Sequence, residues 1–240
     1  MRMGDQLNWV YISISLLGVL FVLMLGLNPP YSGGDFSLRK PVIGLSFALI
    51  CVLGALAALF PKKCSTIPHY SSISAKTSQY FQGLSKGHHP VCKQFASHTI
   101  VLCGKVLCAG CTGLFIGALL SIVCAGSYFL LGLEGIHAQM SIFLGSFGLV
   151  LGFAQFAFRG FVRSLMNVFF VVGALMILIG VDSLVQNFFI DLFVLALTLF
   201  WILTRILLSQ QDHNQVCRIC ISMKKECELF LKYNKSNSNR

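Results

Sequence analysis

Apolar residues in this chain come in blocks rather than in alternation with polar ones, and six of the blocks are long. A block of roughly 20 apolar residues matches the thickness of a bilayer core. The blocks run from about Leu7 to Leu27, Pro41 to Phe60, Val106 to Leu131, Met140 to Ala157, Phe161 to Val181 and Leu184 to Leu208. Asn28-Pro29-Pro30 ends the first, and no small-residue cleavage site follows it, which predicts a retained anchor rather than a signal peptide. The pattern therefore predicts an all-α integral membrane protein, a six-transmembrane-helix bundle. Residues 1–60 would carry helices 1 and 2, residues 61–105 a Cys/His-rich loop, residues 106–208 helices 3 to 6, and residues 209–240 a basic, cysteine-containing tail.

Composition removes the soluble alternative that 240 residues would otherwise allow. Hydrophobic residues make up 56% of the chain and charged ones 11%, against about 25% charged in ordinary globular domains. Charge then sets an expected orientation. Lys62, Lys63, Lys76, Lys86, Lys93 and Lys105 lie between blocks two and three with no acidic residue among them. Arg159 and Arg163 flank the turn between blocks four and five, and the tail adds Arg218, Lys224, Lys225, Lys232, Lys235 and Arg240. The other side holds Asp35, Glu134 and Asp182, with Arg39 and Lys40 as its basic residues. Positive segments stay cytoplasmic, so the expectation is a multi-pass cell-membrane protein with both termini and the long loop in the cytosol. The net charge of +10 is spread over several loops. That distribution argues against nucleic acid as a partner and for the lipid bilayer and its anionic head groups.

The dense chemistry is in the second half of the long loop. His88, His89, Cys92, His98, Cys103, Cys108 and Cys111 place seven soft-metal ligand types within 24 residues, against the start of an apolar block. Cys51 and Cys124 lie inside apolar blocks, where a thiol behaves as a small hydrophobe. The other cysteines fall on the expected cytosolic side, where thiols stay reduced, so metal ligation or redox chemistry is favoured over a disulfide framework. Cys108 and Cys111 have the Cys-x-x-Cys spacing that lets two thiolates meet one tetrahedral metal. Between His98 and this pair, Thr99 to Leu107 is rich in β-branched residues around Gly104-Lys105, the pattern of a short hairpin. A turn at Gly104-Lys105 would fold His98 back toward Cys108 and Cys111, as in a compact zinc knuckle. The first ligand set is Cys92, His98, Cys108 and Cys111, with His88 and His89 as alternate ligands, and zinc is the metal that mixed Cys/His sites suit best. Position adds to this. At the start of a helix, free N–H groups and the helix dipole favour anions, which helps metal binding and thiol exchange equally. Gly113 and Gly117 follow at the spacing of close helix packing, and packing alone accounts for them.

The run His-His-Pro-x-Cys-x-x-Phe-x-x-His followed by Leu-Cys-Ala-Gly-Cys-Thr-Gly-Leu resembles a family of multi-pass membrane proteins of bacteria and archaea, described only as predicted membrane proteins of unknown function. Cys92, Phe95, Cys108, Cys111 and Gly113 carry the resemblance, which covers about residues 88 to 118. Bacterial members often have an arginine inside the Cys-x-x-Cys, where this chain has Ala109-Gly110, so no role of that arginine transfers. The resemblance implies that the cluster matters without naming a reaction.

Two further constellations stand apart from the loop. The tail holds Cys217-Arg218-Ile219-Cys220 and Cys227, and residues 216 to 231 fit an amphipathic surface helix. Its thiols could join Cys108 and Cys111 in one site, carry lipid, or remain unmodified. In the last block Asn187, Asp191, Thr198 and Arg205 share one helix face. An ionisable residue inside a span is a functional hypothesis by default. The stripe would line a cation or proton path, or form a polar seam bonded to Asn167 or Gln155. No phosphate-binding Gly-rich loop, His-Glu-x-x-His or Gly-x-Ser-x-Gly occurs. Three readings follow: a zinc-binding membrane protein, a thiol oxidoreductase using Cys108 and Cys111 with Cys92 or Cys103 as resolving thiol, and a cation or metal transporter with Asp191 on its path.

Overall fold

The computed structural model describes residues 3–30, 38–60, 98–102, 105–133 and 137–222. Six helices are long and apolar enough to cross a membrane, in the places the blocks predict. They are α1 (Met3–Leu27), α2 (Arg39–Leu59), α3 (Ala109–Phe129), α4 (Ala138–Phe153), α5 (Gly160–Val185) and α6 (Phe188–Ser222). A 3-10 turn, Ala154–Ala157, extends α4, and the chain reverses into α5 at Gly160, whose φ of 52° suits a residue without a side chain.

Large apolar side chains stand exposed on the outer helix faces, among them Leu17, Leu20, Leu49, Leu53, Phe147 and Phe189. Water would penalise such a surface, whereas lipid tails accept it. The inner faces combine large apolar side chains such as Phe47, Phe170 and Trp201 with glycines at close helix contacts. α5 is the central helix and packs against α3 and α4. A Cβ on Gly145 would come within 2.6 Å of the Gly173 carbonyl oxygen, and one on Gly173 within 2.6 Å of the Gly145 carbonyl oxygen. Gly113 faces the Ser164 backbone in the same manner, and Gly117 faces Val168 and Val171. The Gly113–Gly117 spacing therefore serves close packing of α3 on α5. α1 closes against α6, where the Trp201 indole N–H donates to the Ser15 carbonyl at 3.1 Å and the Ser15 and Thr204 hydroxyls meet at 2.8 Å.

Ahead of α3 the chain forms the expected hairpin, strands β1 (Thr99–Leu102) and β2 (Lys105–Cys108), antiparallel with Thr99 opposite Cys108 and Leu102 opposite Lys105. Lys105, expected in the turn, instead opens β2 and pairs with Leu102. The third span accordingly starts at Ala109 rather than Val106, because Val106, Leu107 and Cys108 pair with β1 up to the helix cap. The sixth helix also departs from expectation. It runs unbroken through Leu208 to Ser222, so Cys217 and Cys220 lie on its extension and not on a separate surface helix. His88, His89, Cys92, Cys103 and Cys227 lie outside the described residues.

Candidate functional site

The hairpin and three helix ends meet at one end of the bundle. Cys108 is both the last residue of β2 and the N-cap of α3, with extended backbone (φ −70°, ψ 121°). Its carbonyl accepts a hydrogen bond from the Thr112 hydroxyl at 2.9 Å, which fixes the first helical turn. Cys111 sits within that turn. Neither is in a disulfide and both are half-buried, while Cys51 is buried in α2 and Cys124 is exposed on α3. Three residues at a helix start separate two Cα atoms by about 5–6 Å, inside the range a disulfide spans.

Beside the two thiols lies Arg205 of α6, only 8% exposed. Its Nε and Nη2 donate to Asn167 Oδ1 at 2.9 and 2.6 Å, and Asn167 Nδ2 donates back to the Arg163 carbonyl at 2.7 Å. The guanidinium is thus held by a neutral amide that is itself tied to the α5 backbone. Among the described residues, ionisable groups that act on it electrostatically include Cys111, Cys108 and Arg163. A Cβ on Gly110 would lie 3.5 Å from Arg205 Nη2, 3.9 Å from Asn167 Nδ2 and 4.0 Å from Cys108 Sγ. The three groups converge on Gly110, and a larger residue there would separate thiol from guanidinium.

A second layer closes the site. Arg163 Nη2 donates to Asp212 Oδ2 at 2.7 Å and its guanidinium lies over the Phe156 ring at 5.3 Å. His98 is 6% exposed, with Nε2 3.8 Å from Asp212 Oδ2 and its ring 5.8 Å from that of His213. The hairpin therefore brings His98, Cys108 and Cys111 to one end of the bundle, as the spacing predicts. His98 faces Asp212 and His213 of α6. Among the described residues no three His, Cys, Asp or Glu side chains are grouped to hold a metal ion, and the remaining predicted ligands, Cys92, His88 and His89, fall outside those residues.

The polar stripe of the last helix resolves into separate pieces. Arg205 bonds Asn167, as a polar seam would. Thr198 donates to its own helix at the Val194 carbonyl, and Asn187 caps α6 by accepting the Phe189 N–H at 3.0 Å. Asp191 pairs with Arg39 at the opposite end of the bundle. Arg39 and Asp182, which look like loop charges in sequence, are buried there with it. Asp212 and His213 carry no motif. Asp212 does continue the seven-residue steps of Asp191, Thr198 and Arg205, a signal hidden by ending the helix at Leu208.

Comparison with known proteins finds no matching family model, no matching curated protein and no matching solved structure. The functional reading therefore rests on the residues of the site.

Proposed function

We propose that this is a membrane thiol–disulfide oxidoreductase whose working pair is Cys108 and Cys111. One observation carries the reading: Arg205 is buried, bonded only to a neutral amide among the described residues, and flanked by both thiols. A buried guanidinium cannot lose its proton, and without an anionic partner it is costly. Asp212 already serves Arg163, so among the described residues a thiolate at the Cys-x-x-Cys is the anion that can answer it. Guanidinium and helix N-terminus together make an electropositive setting of the kind that reactive cysteines occupy. A zinc ion in the same place would add positive charge beside an existing cation.

The chemistry is thiol–disulfide exchange with a small or protein disulfide as co-reactant. One cysteine thiolate attacks a sulfur of that disulfide. Its S–S bond breaks and the first thiolate leaves. The second cysteine then attacks the mixed disulfide, forming the Cys108–Cys111 bond and expelling the second thiolate. Two electrons pass to the co-reactant, the two thiol protons end on its thiols, and a cytosolic thiol returns the pair to its reduced form.

A second reading, zinc bound by Cys108, Cys111, His98 and a ligand from residues 88–92, draws support from the hairpin that carries His98 to this end. One experiment separates the two. Protein purified in mild detergent is assayed for zinc, then treated with oxidised glutathione and differentially alkylated. The redox reading expects a metal-free protein that gains one Cys108–Cys111 disulfide, reversed by dithiothreitol. It also expects about tenfold slower oxidation in Arg205→Met than in Arg205→Lys. About one zinc per chain, with thiols shielded until chelator is added, would replace it with the zinc reading. Metal-free thiols that form no disulfide would overturn both.

A further inference from the structure

At the end of the bundle away from the hairpin, four helices bring charge into the interior. Arg39, the first residue of α2, is 1% exposed, and Asp182 of α5 and Asp191 of α6 are both 0% exposed. Arg39 Nη1 donates to Asp182, and also to Asp191 Oδ2 at 2.5 Å. The Tyr128 hydroxyl of α3 donates to Asp182 Oδ2 at 2.8 Å. Lys40 completes the charged surroundings, with Nζ 5.1 Å from the Tyr128 ring centroid and a half-buried side chain. Bonded to the two carboxyls among the described residues are Arg39 from α2 and Tyr128 from α3, while Lys40 lies against the Tyr128 ring.

Three features of this cluster do not fit two ionised carboxylates. The first is charge: the fully buried charged groups of the cluster are two carboxyls and one guanidinium, an excess of one negative charge if both acids are ionised. The second is placement. A single guanidinium nitrogen serves both acids, which crowds the two carboxyl groups around one atom. Ionised carboxylates are acceptors only, so they can bond to each other only through a proton. The third is Asp191 Oδ1, a buried oxygen that accepts no hydrogen bond from any described group. The backbone does not let the acids part. α5 ends in a left-handed Gln186 (φ 49°), whose N–H donates to the Asp182 carbonyl at 3.1 Å, and Asn187 starts α6 at once. That two-residue turn holds Asp182 and Asp191 against one another.

We propose that Asp182 and Asp191 form a proton-binding site, which takes one proton and shares it between the two carboxyl groups. Binding adds H⁺ to a carboxylate oxygen and moves no electrons. The ligand is a proton rather than a metal cation on two grounds. Arg39 and Tyr128 present N–H and O–H donors, which repel a metal ion but bond the oxygens of a shared acid. Asp191 Oδ1 is enclosed, and a proton needs no volume. With the proton in place the fully buried charges balance, one guanidinium against one remaining carboxylate.

Infrared difference spectroscopy of the full chain in detergent, recorded across H/D exchange at neutral pH, tests the site directly. The wild type is expected to show the carbonyl band of a protonated carboxylic acid, shifted in D₂O. Asp191→Asn or Asp182→Asn is expected to abolish it. The amide copies the shape and donors of the neutral acid, so Asp191→Asn should keep the wild-type melting temperature. Absence of the band in the wild type would mean two ionised carboxylates and would overturn the proposal, whether or not either variant folds. A band kept in both variants would place the proton elsewhere and overturn it equally. The readout does not involve Cys108 or Cys111, so it stands or falls independently of the thiol reading.

Discussion

Arg39→Met is expected to lower stability by about 3–5 kcal/mol, because it leaves carboxyls buried without their cation. Met keeps most of the side-chain bulk, so lost packing contributes little. The cost is electrostatic: Asp182 loses the guanidinium that, with Tyr128, satisfies it, and Asp191 loses the guanidinium paired with its Oδ2. Detergent-based unfolding of wild type and variant measures the difference. Two comparisons isolate the cause. Arg163→Met removes a buried arginine from a pair whose acid, Asp212, keeps 22% of its side chain exposed, so the carboxylate left behind stays partly hydrated. That substitution should be mild. Arg39→Met combined with Asp182→Asn removes the cation together with a charge it neutralised, so the double variant should be more stable than Arg39→Met alone, with a coupling of about 1–3 kcal/mol. Equal damage from Arg39→Met and Arg163→Met, or additivity in the double variant, would contradict the buried cluster.

The same arginine shows where the sequence is legible and where it is not. The six spans are local information, since about 20 apolar residues in a row require no knowledge of neighbours, and all six helices lie where the blocks place them. Arg39 is different. A charge argues against a span, so the expected second helix starts at Pro41, yet α2 begins at Arg39 because acids 143 and 152 residues away neutralise it. Partners that distant leave no mark on the local pattern. The thiol site divides along the same line. Cys108, Cys111 and His98 stand out as residue types at a telling spacing, and the β-branched run between them announces the hairpin. Arg205 is visible as a polar position in an apolar block, but its proximity to the cysteines comes from packing of α3, α5 and α6. Asp212 and His213 are hidden by a hydropathy change at Leu208 that does not interrupt the helix. Polarity there reflects where the helix leaves the apolar layer, not where it ends.

Glycines make the largest difference between a residue type and its meaning, and Gly145→Leu is the sharpest case. In a bilayer, helices gain little from excluding lipid, so close backbone approach supplies much of their attraction. α4 and α5 meet through glycine on both sides. Gly145 lies against the Gly173 carbonyl and the Ile177 amide, Gly148 lies 2.9 Å by its would-be Cβ from the Phe169 carbonyl, and Gly180 meets the Ala138 carbonyl at 2.7 Å in the same sense. These neighbours are backbone atoms of another helix and cannot rotate aside as a side chain would. A leucine at Gly145 must push α5 away, which also breaks the Ser141 hydroxyl bond to the Met176 carbonyl (2.8 Å). Overpacking typically costs 1–3 kcal/mol, and rigid neighbours put this site at the top of that range or beyond, about 3 kcal/mol or more. Because α5 also carries Arg163, Asn167 and Asp182, its displacement should loosen both ends of the bundle together. Gly54→Leu supplies the opposite sign. Gly54 lies on the exposed face of α2 with no neighbouring atom within 4 Å of a Cβ, so leucine gains helix propensity of nearly 1 kcal/mol at no steric cost. Unfolding measurements on the two variants should therefore move in opposite directions. A Gly145→Leu protein as stable as wild type would show that α4 and α5 do not touch through their backbones.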